Sequence, residues 1–372
     1  MKIIIDGRMY CESGIGRYIR NLIANLQILD KENNYFVLHL KEDYDRLVYH
    51  NNFHKVLADF RWYGIEEQIK LPGLLKSLNP GLVHFPHFNV PVSFGGKFVV
   101  TIHDLIHQHF SMRRATTHGF LIYKLKQFGY RKVFKNAIKK SAAILVPSNF
   151  VKQQLIHNWK IDKGKITVSY EAVDEEIFTI LNKMTKEINN KIMEKFNIKS
   201  PYIFYVGNAH PHKNVEGLIR VFGELRKKYK DLLLVLSGSD HYFWQRIRKE
   251  FQQKGVIYTG FISDEELVGL YKGATVFVMP SLEEGFGIPV LEAMVCSCPV
   301  VSSNKGSLSE IGEDAASYFD PGDMGDMERK IDMILKSENK RKELIEKGLK
   351  RYKQFNWEKL ARETLEVYRR CA

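Results

Sequence analysis

The feature that most constrains this chain is a pattern that runs twice along it: short apolar segments bounded by turn-formers, alternating with amphipathic stretches. "KIIIDG" reads as a buried strand ending at Gly7, and "GIGRYIRNLIANLQIL" places Ile15, Tyr18, Ile19, Leu22 and Ile23 at helical spacing. The chain therefore opens strand, glycine loop, helix. The runs "YFVLHL", "GLVHF", "KFVVTIHD" and "AAILVPS" follow, separated by amphipathic stretches. Residues 175–200 turn polar and lysine-rich and end at Pro201, which reads as a domain boundary. Beyond it the pattern restarts with "YIFYVGN", a helix from about Asn214, then "LLLVLSGS", "GVIYTGF", "ATVFVMPS", "PVVSSN" and "ASYFD". Such alternation predicts parallel sheets wrapped by helices, hence an α/β chain of two Rossmann-like domains.

A length of 372 residues suits two cores of about 150 to 200 residues better than one. The expected domains are 1–175 and 176–356, with a closing helix at 357–372. That helix carries Trp357, Leu360, Ala361, Leu365 and Tyr368 on one face and has no strand after it, so it must dock on structure already built.

The composition, 44% hydrophobic and 27% charged, is that of a globular chain, and no run approaches the roughly 18 to 20 apolar residues of a membrane span. "MKIIIDGRMY" has three consecutive apolar residues before Asp6, too few for an export signal, so a cytoplasmic chain is expected. Cys11, Cys296, Cys298 and Cys371 are sparse, and Cys296-Ser297-Cys298 has one intervening residue where zinc sites usually have two or more. A reducing compartment fits.

The net charge of +13 raises the prior for an anionic partner: nucleic acid, membrane lipid or a phosphorylated substrate. Residues 1–175 hold 25 Lys and Arg against 15 Asp and Glu, so most of the surplus lies in the first half. Within it, residues 111–140 hold nine basic and no acidic residues, interleaved with Phe120, Tyr123, Phe128, Tyr130 and Phe134. Such a segment reads as a peripheral contact with anionic membrane, or as a core helix whose lysines are only solvated.

The strand "ATVFVMP" is stopped by Pro280, and ligands of open parallel sheets bind at the carboxyl ends of strands. The segment that follows, "SLEEGFGIPVLEAMV", is therefore in a binding position. Gly285 and Gly287 permit positive φ and close approach of backbone to a ligand, and Pro289 suits the start of a helix. Free N–H groups and a positive dipole end there favour a phosphate. A carboxylate beside a phosphate repels it, so Glu292 suits neutral hydroxyls such as a ribose diol, and Glu284 the hydroxyls of a second moiety. Two exposed carboxylates steadied by the helix dipole are the alternative that spacing leaves open.

In "VGNAHPHKN", Lys213 and the amides around Asn214 suit a diphosphate. His210 and His212 flank a proline with no acidic residue or cysteine nearby, which argues against a metal site. His103 and Asp104 in "TIHDLIH" stand at the carboxyl end of a first-domain strand, where His103 faces a ligand or bonds to backbone. Gly14 and Gly16 in "ESGIGRY" follow the first strand and precede a helix. Asp43 and Asp45 sit among charged neighbours in "LKEDYDRL" and read as a solvated face, not as a metal-binding pair.

Taken together these segments resemble the retaining glycosyltransferases of family four, with "EGFGIPVLE" similar to their Glu-x7-Glu signature. The resemblance covers nearly the whole chain, including "SGIGRYIRNL", "HDL", "VPSNFVKQQL", "YEAVDEEIF", "VGNAHPHKN", "GFISDEELVGLYKGATVFVMPSLEEGFGIPVLEAM" and "PVVSSNKGSLSEIGEDAASYFDP". It implies a GT-B fold, two Rossmann-like domains whose parallel sheets face a central cleft, with the closing helix returning to the first domain. It implies that Glu292 holds the ribose of a nucleotide sugar, Glu284 contacts its sugar, and His103 meets the transferred sugar from the acceptor side. Lys213 would neutralise the diphosphate, helped by the amides of Phe286, Gly287 and Ile288 and by the loop at Gly14 and Gly16. The base would lie against Gly260 and Phe261. Many members carry arginine where this chain has Asn208 and His212, so the charge of the diphosphate would rest more on Lys213 or be shared with a protonated His212 or with Arg17.

By the same resemblance no cofactor or metal is expected beyond the nucleotide sugar. "GIGRY" and "YEAVD" look most like bacterial mannosyltransferases of envelope polysaccharide assembly, so GDP-mannose is the favoured donor and a UDP- or dTDP-sugar the alternative. The implied acceptor is a glycan or lipid-linked glycan, reached at the inner face of the plasma membrane. The rival readings are a sugar-nucleotide epimerase on the same fold and a non-catalytic nucleic-acid binder. His103, Lys213, Glu284 and Glu292 together weigh against the latter.

Overall fold

A computed structural model of the chain describes residues 1–106, 120–199 and 201–371. They form two compact units, one running to Glu171 and resuming at Asn356, the other spanning Ala172–Phe355. The first unit holds β1 (Lys2–Asp6), α1 (Gly14–Leu29), β2 (Asn34–His39), α2 (Lys41–Arg46), β3 (Phe53–Leu57), α3 (Ile65–Leu78), β4 (Leu82–Phe85), β5 (Phe98–Thr101), α4 (Phe120–Lys140), β6 (Ala143–Val146), α5 (Asn149–Trp159) and β7 (Ile166–Val168). Its seven described strands form one parallel sheet in the order β3-β2-β1-β4-β5-β6-β7. Ile3, Ile4 and Ile5 are all fully buried, as are Val99 and Val100. Both faces of the sheet are therefore covered, which is why these strands read as continuous apolar runs and not as alternations.

Strands β3 and β7 do not stand out in the sequence. They are the two edges of the sheet; β7 has three residues, and β3 leaves its middle half-exposed, so neither leaves a clear apolar run.

The second unit contains α6 (Glu175–Lys183), α7 (Lys186–Lys195), β8 (Tyr202–Val206), α8 (Val215–Lys228), β9 (Leu233–Ser237), α9 (Tyr242–Glu250), β10 (Val256–Gly260), α10 (Asp264–Gly273), β11 (Val276–Met279), α11 (Ile288–Val295), β12 (Val300–Ser303), α12 (Leu308–Gly312), β13 (Ala316–Phe319), α13 (Met324–Lys336) and α14 (Glu338–Arg351). Six strands form a parallel sheet ordered β10-β9-β8-β11-β12-β13. The order reverses between β8 and β11, the kind of switch point at whose carboxyl strand ends open parallel sheets bind ligands. The chain enters this unit just ahead of the lysine-rich stretch, because α6 and α7 both pack on α10.

The closing helix, α15 (Trp357–Arg370), begins at Asn356, whose Oδ1 accepts the N–H groups of Glu358 (2.7 Å) and Lys359 (3.2 Å). Its apolar face packs on α1 of the first unit. There Tyr368 reaches His84 on β4, with the phenol oxygen 2.6 Å from Nδ1. Among the described residues no helix is long and apolar enough to cross a membrane.

Of the basic segment 111–140, residues 111–119 lie outside the described residues. The rest belongs to α4, where Phe134, Ala137 and Ile138 are buried in the core of the sheet. Phe134 is therefore no part of a membrane-facing surface, although Phe128 is 69% exposed.

Candidate functional site

In the second unit, β8 and β11 are neighbours, so the loops leaving their carboxyl ends meet. After β8 the chain makes a short turn, Pro211–Lys213, and reverses at Asn214, whose φ of 53° is left-handed, before entering α8. After β11, residues 280–287 loop into α11. The two loops are tied by Leu282 N–H donating to the His212 carbonyl at 2.7 Å. Lys213 Nζ then bonds both oxygens of Glu284, at 2.7 and 2.9 Å, with the side chains only 16% and 8% exposed.

The Glu284 backbone is clamped from the β12 loop. Ser307 donates its N–H and its hydroxyl to the Glu284 carbonyl, both at 3.1 Å, and the hydroxyl reaches the Phe286 carbonyl at 2.7 Å. Gly287 caps α11 with a φ of +107°, a conformation that favours glycine, and any Cβ there would meet Leu308 at 2.7 Å. The turn is thus set by backbone geometry, and the first amides of α11 are held in place.

Glu292 lies in α11 and is buried, its carboxylate accepting the Tyr271 hydroxyl at 3.0 Å. Burial, reinforced by this carboxylate, raises the Tyr271 pKa well above its ordinary value, so the phenol stays a donor. Glu284 is buried as well, which disposes of the picture of two exposed carboxylates on a helix end. Asn208 is exposed; its carbonyl accepts the Tyr205 hydroxyl at 2.6 Å and its side chain accepts His210 N–H at 3.2 Å. His212 is buried and stacked on His210, ring centres 5.8 Å apart.

Gly260 ends β10 at a φ of +74° with open space around it, and Phe261 beside it is 80% exposed. From β10 to β11 is three strand spacings, about 14 Å. Along that edge the structure sets Phe261, then Lys213, then Glu284 in order. Among the described residues no group of three His, Cys, Asp or Glu could hold a metal ion.

In the first unit, His103 follows β5 and is bonded on both sides, Nδ1 to Glu171 at 3.0 Å and Nε2 to the Pro86 carbonyl at 2.9 Å. Gly14 and Gly16 differ. A Cβ on Gly16 would lie 2.5 Å from the Tyr10 carbonyl oxygen, whereas Gly14 has nothing within 4 Å. Gly16 is therefore demanded by packing, while Gly14 faces open space. A cavity at the ends of β1 and β4 is lined by Asp6, Arg8, Trp62, His87 and Asn89.

One expectation from sequence is corrected here. Asp43 is not on a solvated face: it is buried against Cys11, which donates to it at 3.0 Å, and Arg46 at 2.9 Å, because α2 folds back beside the β1 loop. Three residues of the two sites are absent from the sequence reading as partners. Glu171 is signalled only by its place after the short run "ITV", Tyr271 by an aromatic on the buried face of α10, and Ser307 by nothing local.

Two parallel-sheet domains with these loops at their carboxyl edges define a GT-B protein. HepE from Anabaena, crystallised with UDP-glucose, has the same fold, with a TM-score of 0.75 over 99% of each chain at 15% identity. The family models described as Glycosyltransferase Family 4 and Glycosyl transferases group 1 match residues 13–177 and 188–351. The chain belongs to glycosyltransferase family 4. It is 35% identical to O-antigen chain mannosyltransferase B of Escherichia coli over 187 residues, 48% of each chain. It is 28% identical to the serotype-specific mannosyltransferase WbdA of Escherichia coli over 303 residues, 77% of this chain and 35% of that protein. The chain thus spans half or less of the length of these relatives.

Proposed function

We propose that the protein transfers a hexose, with retention of anomeric configuration, from a nucleotide sugar to a glycan or lipid-linked glycan. Mannose from GDP-mannose is the favoured donor, a choice supported by the mannosyltransferase relatives. The observation that carries the reading is the meeting of Lys213 and Glu284 across adjacent strands, with Glu292 buried in the helix that follows, α11. The base would stack on Phe261, the diphosphate would take Lys213 and the amides of Phe286, Gly287 and Ile288, and Glu292 would accept the ribose hydroxyls.

Donor binding then has a local consequence. The diphosphate displaces Glu284 from Lys213, and the freed carboxylate accepts hydroxyls of the sugar. Breaking the bond from the anomeric carbon to phosphate leaves negative charge on the diphosphate, where lysine and helix amides already point. The acceptor hydroxyl attacks from the same face and passes its proton to the departing phosphate.

Glu292→Ala tests the donor site. Loss of a hydrogen bond to a charged group is worth about 1.5–3 kcal/mol, so the donor KM is expected to rise about ten- to hundredfold with little change in kcat. Thermal stabilisation and hydrolysis across a panel of sugar nucleotides would rank the donors. If none of them stabilises the protein, the reading fails.

Peripheral docking on anionic membrane through 111–140 is part of the same proposal, because a lipid-linked acceptor lies at that surface. Arg131, Lys132, Lys135, Lys139 and Lys140 of α4 are exposed, and each basic residue near such a surface is worth about 1 kcal/mol. Co-sedimentation with phosphatidylglycerol vesicles is expected to exceed that with phosphatidylcholine and to fall with salt. Equal sedimentation with both would remove the membrane contact.

A further inference from the structure

His84 on β4, fully buried, and His103, just past the end of neighbouring β5 with its side chain 16% exposed, lie in opposite surroundings. His84 lies between hydroxyls, with Nδ1 2.6 Å from the Tyr368 oxygen and Nε2 2.8 Å from Thr101 Oγ1. A hydroxyl gives or takes a hydrogen bond, so neutral imidazole satisfies both contacts. Burial, with the charge on His103 adding to it, pushes the His84 pKa down to about 3.

His103 lies between two groups that only accept: the Glu171 carboxylate, 3.0 Å from Nδ1, and the Pro86 carbonyl, 2.9 Å from Nε2. Neutral imidazole carries one N–H and would turn a bare nitrogen toward one of them. Imidazolium carries two and satisfies both. Glu171 is itself buried, and it is the last residue before the chain leaves the first unit.

We propose that Glu171 holds His103 as an oriented imidazolium, so that His103 enters glycosyl transfer with both ring protons in place and is not a general base. The inference rests on the transfer reading above and assigns Glu171 as a positioning residue, acting through His103. The groups facing the ring are Glu171, Asp104 beside it, neutral His84 on β4, and Tyr18 on α1, whose ring meets it edge-on at 5.0 Å. Burial lowers the His103 pKa, but the Glu171 bond and charge, the Pro86 carbonyl and Asp104 together carry it above its ordinary value. Burial likewise keeps the Tyr18 phenol protonated.

In the transfer step, the bond from anomeric carbon to phosphate breaks and its electron pair leaves with the nucleoside diphosphate. The bond to the acceptor oxygen forms, and the acceptor proton passes to a phosphate oxygen. His103 keeps both protons throughout. Losing either ring proton would set a bare nitrogen against an acceptor and release the ring from its orientation.

The test starts with unaltered protein. Histidine ring Cε1–H resonances are titrated by NMR, and the His103 signal is identified by its absence in His103→Gln. His103 is expected to titrate above about 6.5, the free-imidazole value. Glu171→Gln is expected to lower it by about one to three pH units, the usual effect of removing a neighbouring opposite charge. The alkaline limb of kcat for donor hydrolysis should fall at the His103 pKa and move down with it in Glu171→Gln, whereas Glu171→Asp keeps it high. A wild-type His103 that titrates at or below 6.5, or a limb that stays in place in Glu171→Gln, overturns the proposal. Absence of binding to any sugar nucleotide would defeat the transfer reading alone, since the wild-type titration still reports the state of His103.

Discussion

Replacing Lys213 with alanine is expected to lower kcat for transfer and for donor hydrolysis about 10²- to 10³-fold, the usual loss on removing one preorganised stabiliser of developing negative charge. In the free protein the lysine is held by Glu284 alone among the contacts described, at 2.7 and 2.9 Å, so the site stores its cation ready to exchange one anion for another. In the proposed donor site, where the family often has arginine at the positions of Asn208 and His212, the diphosphate charge would rest more on Lys213 or be shared with His212 or Arg17. Alanine also strands the buried Glu284 carboxylate, and some stability will go with it. Lys213→Ala combined with Glu284→Gln separates the effects, because the uncharged amide recovers stability but not rate. Thermal melts and initial rates at saturating donor measure both. A single Lys213→Ala variant within tenfold of wild-type kcat would take the lysine out of the leaving-group role.

Arg8→Ala is expected to be the most destabilising single change in the first unit. Arg8 is 2% exposed and grips Asp6 through Nε and Nη2 at 2.8 and 2.7 Å, Glu67 through Nη2 at 2.6 Å, and the Phe60 carbonyl through Nη1 at 3.2 Å. Glu67 in turn accepts from Asn89 at 2.7 Å and from the Tyr63 amide at 3.0 Å, which ties down the strained turn at Tyr63, where φ is 63°. Removing the cation leaves two buried carboxylates facing each other, and breaking a buried pair in this way costs about 3–5 kcal/mol. Arg8→Lys keeps the charge without the fork and should fall between.

The pH dependence follows from Glu67, whose pKa is raised by burial and by Asp6 against the opposing pull of Arg8. A carboxyl raised in the folded state favours folding when protonated and loses that contribution as pH rises through the folded value. Without Arg8 the Glu67 carboxyl rises further. The deficit of Arg8→Ala relative to wild type should therefore be largest near neutrality and shrink as pH falls toward 5. Denaturant melts at several pH values would show it, and a deficit below about 1 kcal/mol at pH 7 would mean that the cluster relaxes without its cation.

Much of the architecture could be read in one dimension because it depends on local pattern. The spacing of Ile15, Tyr18, Ile19, Leu22 and Ile23 predicts α1, and the helix is observed at Gly14–Leu29. The doubled alternation predicts two parallel sheets, and two are present. Edge strands escape because an edge need not be a long apolar run, as β7 shows with its three residues. At the candidate site, glycine and proline announce the turn into α11, since positive φ and a missing N–H leave their mark on residue choice. Burial leaves no such mark on a carboxylate. Asp43, Glu284 and Glu292 read as solvated or ambiguous in sequence, and all three are buried.

The sequence by itself determined the element types, the two-domain plan and the identity of the residues at strand ends, because backbone propensity and apolar periodicity act over a few residues. Only the tertiary structure decided which of those residues meet. Lys213 and Glu284 are 71 positions apart, His103 and Glu171 68, and His84 and Tyr368 284. Lys213 and Glu284 meet because β8 lies beside β11 out of chain order. Glu171 reaches His103 from just past the end of β7, two strands along the sheet from β5, and Tyr368 reaches His84 because the closing helix packs back on the first unit. The charge state of each histidine is settled at the same level. A ring between hydroxyls stays neutral and a ring between acceptors takes a second proton, and no local pattern around His84 or His103 records which surroundings it will have.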